Sequence, residues 1–228
     1  TIFAAHFLLE AKKADYDINE NSLNRMLDYL TSKTSMQALT TEPEYIYLEN
    51  GTNTTRTIAK RDMIYSLYTL ALAGKANQPI MNYYKSNENL LTTDTRYMLG
   101  ASFAQIGDET SAKQLIPKDY LMENTAKETG GSFSSPIRNL AISLNSLVES
   151  DPQNLQIPKM ARVLSQAIKN NRYLSTQESV FSFLALGKIA KRNGESNVTA
   201  TLLADNKQLA NFTGADLSLN KGLVGKTV

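Results

Sequence analysis

Hydrophobic residues recur at the helical period along most of the chain. Leu23, Met26, Leu27 and Leu30 follow an i, i+3, i+4, i+7 pattern after a polar turn. The same period predicts further helices, separated by polar, proline or glycine turns. Besides a first helix at 1–14 and the helix that contains Leu23 to Leu30, helices are expected at 57–73, 78–85, 94–107, 108–115, 136–148, 158–170 and from 175 onward. The pattern therefore predicts four helix pairs and one unpaired helix.

Two stretches depart from the helical period. Within a polar stretch at 32–56, residues 44–51 (EYIYLENG) predict a short extended piece that ends at Asn50-Gly51. From residue 197 the hydrophobic period changes to two, which predicts strands. The residues that carry this pattern are Val198, Ala200, Leu202, Ala204, a turn at Asp205, Asn206 and Lys207, and then Leu209, Phe212, Leu217 and Leu219.

The order of the elements predicts the domain organisation. Helix pairs recurring at roughly 35–50 residues are typical of helical arrays, which stack as an open solenoid or close as an α/α toroid. We expect residues 1–195 to form toroid-type helical hairpins and residues 196–228 to begin a following β domain. The expected fold class is all-α, an incomplete α/α toroid with a short C-terminal β segment.

The stretch YLSTQESVFSFLALGKIAKRN, residues 173–193, favours the closed form. Ser175 and Glu178 have the spacing of a capping box at the start of a helix. Apolar residues follow on every side of this helix, so we expect it to be buried on several faces, as in an inner ring. These residues are Val180, Phe181, Phe183, Leu184, Leu186 and Ile189. The helix at 158–170 has a polar face and is expected in an outer ring.

Composition excludes several classes of function. The formal net charge is only +2, so no strong field would attract nucleic acid or an anionic membrane. No apolar run is long enough to cross a bilayer. The chain has no cysteine and one histidine, His6, which argues against thiolate or histidine-cluster metal sites. We expect no metal, no cofactor, no nucleic-acid partner and no direct membrane insertion by this segment.

Few residues qualify as catalytic candidates. His6 lies among apolar residues of the first helix, where a packing role is the simpler interpretation. Asp62, Asp94 and Glu178 could supply an acid/base pair of the glycosidase type. Asp94 and Glu178 are also expected in the first turns of helices, where a carboxylate is favoured by the helix dipole. Asp94 is moreover isolated, without the aspartate-rich segment that terpenoid cyclases, which use a similar toroid, require. No catalytic residue is assigned.

Five stretches in order resemble the thioester-domain toroid of bacterial alpha-2-macroglobulin-like proteins. They are AAHFLLEAKKADYDI, SLYTLALAGK, DTRYMLGASFAQIGD, FSSPIRNLAISLNSLVESDP and YLSTQESVFSFLALGK. The tail from Thr199 to Val228 resembles the start of the β-rich segment that follows this domain. The resemblance covers nearly the whole chain and rests more on the order of the stretches than on any one of them.

This resemblance implies a function without catalytic turnover. The family comprises large multidomain endopeptidase inhibitors that trap attacking proteases, and its bacterial members are similar to periplasmic lipoproteins. Neighbouring β-sandwich domains of the same chain are the other expected partners, and the sequence is interpreted as excised from a longer protein. Ser175, Thr176, Gln177 and Glu178 match the family's helix start and are expected to cap and pack. His6 matches a family helix position without a transferred role.

Many family members carry an internal thioester in a Cys-x-Glu-Gln stretch. No cysteine occurs here, so no thioester residue can be carried over. Either that stretch lies upstream of Thr1, or the protein traps by conformational change alone.

Two other functions are weighed against the protease trap. One is a helical-repeat scaffold that binds proteins on a concave face. The other is an α/α-toroid glycosidase or lyase, which would need two close carboxylates at an open mouth. Whichever function holds, we expect Phe7, Leu8, Leu67 and Phe183 in the core, where truncation to alanine costs ~2–5 kcal/mol for a buried side chain.

Overall fold

The computed structural model describes residues 1–37, 40–48, 50–122, 125–194, 199–204 and 207–213. The chain divides into two compact units, Thr1–Ala185 and Leu186–Val228. Because the first unit ends inside a helix, these units do not coincide with the two expected domains, and the domain boundary at 195/196 stays a prediction. The expectations for Val198, Asp205, Asn206, Leu217 and Leu219 lie outside the described residues.

Helices dominate the part of the chain that the structure describes. They are α1 (Ile2–Lys13), α2 (Glu20–Gln37), α3 (Arg61–Leu72), α4 (Gln78–Ser86), α5 (Thr93–Gln105), α6 (Glu109–Leu115), α7 (Pro136–Ser150), α8 (Ile157–Asn170) and α9 (Thr176–Gly194). The strands are β1 (Thr41–Tyr47), β2 (Asn53–Ala59), β3 (Thr199–Ala204) and β4 (Lys207–Thr213). β1 pairs with β2, and β3 pairs with β4, each as an antiparallel hairpin. The expected all-α class with a short C-terminal β segment is confirmed.

The first hairpin lies between α2 and α3. The extended piece expected at 44–51 is β1 with its turn. The start of the helix expected at 57–73 is wrong, because Ile58 belongs to β2 and α3 begins only at Arg61. The segment before Ile58 is rich in threonine, whose β-branched side chain favours a strand over a helix.

The turn between β1 and β2 contains the expected Asn50-Gly51 pair. Leu48 donates its backbone N–H to the Thr52 carbonyl at 2.8 Å, and Gly51 donates to the Leu48 carbonyl at 3.0 Å. Gly51 has φ +79°, a left-handed conformation that glycine adopts without the steric cost of a Cβ atom. This glycine therefore lets the chain reverse tightly enough for the two strands to pair.

The core of the first unit is built on α3, α5 and α7. α5 packs against α3, α6 and α7. Gly100 permits a close approach, because a Cβ atom there would lie 2.7 Å from Cγ1 of Ile116, just beyond α6. Every residue of α7 from Ile137 to Val148 is buried. This helix is covered on all sides.

The expectation that α9 is the helix covered on several faces is wrong. One face, with Phe181 and Ala185, is buried, whereas Phe183 is 73% exposed. Phe7 of α1 is also mostly exposed, at 62%, so two of the four residues expected in the core lie outside it. Leu67 is fully buried, as expected, and Leu8 is partly buried against a cluster formed by α1, α2 and α3.

There is a physical reason why α7, and not α9, is the helix buried on all sides. α7 contains serines and asparagines that predict a polar face, but several of their side chains form hydrogen bonds inside the protein. Ser143 donates to the Asn139 carbonyl at 2.8 Å, and Asn145 donates to the Tyr68 hydroxyl at 3.2 Å. Hydrogen-bonded polar groups can be buried at little cost, so hydropathy alone misjudges such a helix.

Candidate functional site

Four charged side chains meet in the interior of the first unit. Arg138 donates to Asp94 at 2.9 Å, and the Arg61 Nε lies 3.4 Å from the other oxygen of Asp94. Arg61 also pairs with Glu44 through its terminal nitrogen. All four residues are at most 4% exposed. We refer to Glu44, Arg61, Asp94 and Arg138 as the buried ion network.

Each member of this network comes from a different element. Glu44 lies at the centre of β1, on the face of the hairpin that turns inward, and its second oxygen accepts from Arg56 of β2 at 2.6 Å. Arg61 is the first residue of α3, and Asp94 and Arg138 lie in the first turns of α5 and α7. The network therefore joins the starts of three helices to the hairpin.

Electrostatics explain why Asp94 is needed at this place. A cation in the first turn of a helix is disfavoured by the positive end of the helix dipole, yet Arg61 and Arg138 both occupy such positions. Burial raises the pKa of Asp94, but the two guanidinium groups and the Thr92 hydroxyl offset this effect, so its pKa lies below the ordinary value. Asp94 is thus the shared counter-ion of both arginines.

The two arginines respond differently to the interior. Burial lowers the pKa of Arg138 even though Asp94 opposes the change. Burial also acts to lower the pKa of Arg61, but Asp94 and Glu44 outweigh it and the pKa rises. An arginine stays protonated at neutral pH in either case. Both buried side chains are therefore permanent cations, and they require their carboxylate partners.

Outside this network, the carboxylate of Glu178 joins α7 and α9. Its Oε2 accepts from the Ser175 N–H at 2.6 Å and from Lys127 at 2.7 Å, while its backbone N–H donates to the Ser175 hydroxyl at 3.2 Å. Its Oε1 accepts from the hydroxyl of Ser135, the N-cap residue of α7, at 2.7 Å. One side chain thus completes a capping box on α9 and holds the cap of α7.

These donors stabilise the ionised form of Glu178. Burial raises the pKa of its carboxyl group, but the hydrogen bonds from Lys127, Ser175 and Ser135 outweigh this and lower the pKa to about 2. Of the other two residues in the predicted cap motif, Thr176 is exposed, and Gln177 is half-buried.

His6 is held among aromatic rings. Its Nδ1 lies 2.9 Å from the Tyr65 hydroxyl, and its Nε2 lies 3.4 Å from an oxygen of Glu10 one turn along α1. The rings of Tyr65 and Tyr68 meet the imidazole edge to face, and Phe181 lies 6.3 Å away between ring centres. The geometry agrees with a packing role for this buried histidine.

The candidate carboxylates Asp62, Asp94 and Glu178 belong to different helices, α3, α5 and α9. Asp94 is enclosed by arginines, and Asp62 is absent from the buried ion network. A cavity of about 690 Å³ lies elsewhere, between α6 and the loop after α7, and two carboxylates, Glu109 and Asp151, are among its lining residues. Both of these carboxylates are exposed.

The described ranges contain no group of three or more histidine, aspartate or glutamate side chains placed to hold a metal ion. No helix in those ranges is long and apolar enough to cross a membrane.

The network was only partly foreseeable from sequence. Asp94 was singled out, but its partners Glu44, Arg61 and Arg138 were not. The available signal was the position of Arg61 and Arg138 at helix starts, where cations are normally avoided. Such a placement indicates that a carboxylate from elsewhere in the fold lies close by.

Solved structures of bacterial alpha-2-macroglobulins share this fold. Escherichia coli alpha-2-macroglobulin activated by porcine elastase matches 93% of the chain with a TM-score of 0.63 and 21% identity. Salmonella alpha-2-macroglobulin reacted with methylamine matches 93% with a TM-score of 0.63 and 17% identity. Native Escherichia coli alpha-2-macroglobulin spanning domain MG7 to the C-terminus also matches 93%, with a TM-score of 0.63 and 19% identity.

The chain corresponds to a small part of these proteins. It spans 19%, 14% and 34% of the three matched chains, respectively. By sequence, no protein-family model and no curated protein matches it. The chain thus has the fold of one region of the bacterial alpha-2-macroglobulins, which confirms the resemblance at the level of fold.

Proposed function

We propose that this chain is the structural toroid part of a bacterial alpha-2-macroglobulin-like endopeptidase inhibitor, and that it has no catalytic turnover of its own. The observation that carries the proposal is the fold match over 93% of the chain to alpha-2-macroglobulins in native and protease-activated forms. A match over almost all of the chain is more informative than a shared helical hairpin.

The buried ion network is consistent with a scaffold role. Its carboxylates are fully engaged with arginines, and it links three helix starts to a hairpin. Groups used for proton transfer need access to a substrate, which carboxylates buried against arginines do not have. We therefore assign the network to holding the helices in place.

The proposal extends to the protein that contains this chain. Its partners would be attacking proteases, bound through the full-length molecule, and neighbouring β-sandwich domains of the same chain. It would act in the periplasm or at the cell envelope, with the full-length protein a lipoprotein. Because the chain has no cysteine, a thioester would have to come from another part of the protein.

Complex formation with a protease tests this proposal. The full-length protein is incubated with elastase and analysed by gel filtration, with elastase activity measured across the eluate on a small peptide substrate. We expect elastase activity to elute at the size of the full-length protein. Elution of all elastase at its own size would contradict the proposal.

Denaturing gels distinguish the two modes of trapping. If a thioester lies elsewhere in the protein, part of the elastase remains attached after denaturation; if trapping is conformational, all of it is released.

A further inference from the structure

The tip of the β1–β2 hairpin carries a reactive pair that the proposed function does not use. Asn50 and Gly51 are both exposed, and Gly51 presents no side chain to shield its backbone nitrogen. We propose that Asn50 is a site of spontaneous covalent modification, at which the side-chain amide is lost and the residue becomes aspartate or isoaspartate.

The reaction requires only water as a co-reactant. The backbone nitrogen of Gly51 attacks Cγ of Asn50 and forms a new N–C bond. The bond from Cγ to Nδ2 breaks, and Nδ2 leaves as ammonia with the proton lost by the Gly51 nitrogen. Water then opens the five-membered ring at Cγ, giving aspartate, or at the backbone carbonyl carbon, giving isoaspartate. No oxidant or reductant is involved.

Thr52 activates the electrophile. Oδ1 of Asn50 accepts from the Thr52 N–H at 3.0 Å and from the Thr52 hydroxyl at 2.7 Å. When Gly51 attacks, negative charge develops on this oxygen, and donors already directed at it stabilise that charge. Thr52 therefore acts as a positioning residue that lowers the barrier to ring closure.

One contact opposes the reaction. The Gly51 N–H donates to the Leu48 carbonyl at 3.0 Å, and this hydrogen bond must open before the nitrogen can attack. At an exposed turn water replaces such a bond readily, so its net cost is small. The Leu48 N–H still donates to the Thr52 carbonyl at 2.8 Å, and this bond anchors Thr52 while the Gly51 bond opens.

The chain contains an internal control. A second Asn-Gly pair, Asn193-Gly194, lies within the span of α9, which ends at Gly194. In a helix the backbone N–H bonds to the carbonyl four residues earlier, so the nitrogen is engaged in the helix ladder. The same dipeptide thus occurs in a turn and in a helical backbone, and we expect the helical pair to react more slowly.

Peptide mapping by mass spectrometry tests the proposal. The 228-residue chain is incubated in mildly alkaline buffer, and the conversion of Asn50 and Asn193 is followed in parallel. In the folded protein we expect Asn50 to convert severalfold faster than Asn193, and in concentrated urea we expect the two rates to converge. Equal rates in the folded protein, or faster conversion of Asn193, would overturn the proposal.

Two variants test the role of Thr52. Thr52→Val removes the hydroxyl donor but keeps the branched shape and the backbone N–H, so we expect conversion of Asn50 to slow severalfold. Thr52→Ser keeps the hydroxyl and should retain most of the original rate. Because Thr52 is exposed, both variants should fold, which circular dichroism verifies. An unchanged rate in Thr52→Val would remove Thr52 from the mechanism.

Discussion

Removing the Asp94 carboxylate should lower the free energy of unfolding of the first unit more than removing any exposed carboxylate does. In Asp94→Ala, Arg138 loses its 2.9 Å partner and Arg61 keeps only Glu44. The Thr92 hydroxyl also loses Asp94, to which it donates at 2.5 Å, and keeps its contact with the Thr95 hydroxyl at 3.0 Å. Breaking a buried pair by deleting one partner leaves an uncompensated charge, which costs about 3–5 kcal/mol. We expect a loss of about 4 kcal/mol, chiefly from Arg138.

Urea unfolding followed by far-ultraviolet circular dichroism measures this loss. The matched control is Asp28→Ala, which removes an ion pair of similar length, 3.0 Å to Lys75, from an exposed position. Exposed pairs contribute about 0–1 kcal/mol, so the control should unfold almost like the parent. If Asp94→Ala cost no more than Asp28→Ala, the network would not hold the helices and the reasoning would be refuted.

A double substitution separates charge from packing. Asp94→Ala combined with Arg138→Met removes the stranded cation as well as its counter-ion. We expect the double variant to be more stable than Asp94→Ala alone, because an apolar side chain of similar volume costs less in the interior than an unpaired charge. If the free energy lost by the double variant equalled the sum of the losses of the two single variants, the two residues would not interact.

Four other substitutions have expected outcomes. Glu178→Gln should remove a stabilising contribution that is present above the ordinary glutamate pKa of 4.5 and is lost as the pH falls toward about 2. At 1.36 kcal/mol per pKa unit, this contribution is about 3 kcal/mol. Acid titration of unfolding checks it, and an unchanged acid midpoint would contradict it. Leu67→Ala should cost about 2–5 kcal/mol and Phe183→Ala about 0.5 kcal/mol or less, and equal urea midpoints would contradict the assignment of core and surface. Gly100→Ala should cost about 1–3 kcal/mol through overpacking against Ile116, and a stabilised variant would show that this contact is not tight.

Local chemistry made part of the fold predictable. Ser135 and Pro136 are residue types that favour the start of a helix, and they occupy the N-cap and the first turn of α7. The turn at Asn50-Gly51 was equally predictable, because few other residue pairs suit a tight chain reversal with a positive φ. Such signals act over a few neighbouring residues, and tertiary structure rarely overrides them.

The packing of the helices was much harder to predict. α9 is apolar all round but leaves Phe183 in solvent, whereas α7 contains buried Ser143 and Asn145. Which face is covered depends on which elements surround a helix, and hydropathy along one helix does not contain that information. The ion network is hard to predict for the same reason, because Glu44 and Asp94 are far apart in sequence and both reach Arg61 only in the folded chain.

Size-selective inhibition tests the proposed protease trap most directly. Elastase is mixed with the full-length protein, and its activity is then measured on a large protein substrate and on a small peptide substrate. Enclosing the protease should block the large substrate while the active site stays open to the small one. We predict strong protection of the protein substrate with peptide cleavage retained. Equal cleavage of both substrates with and without the full-length protein would contradict the account.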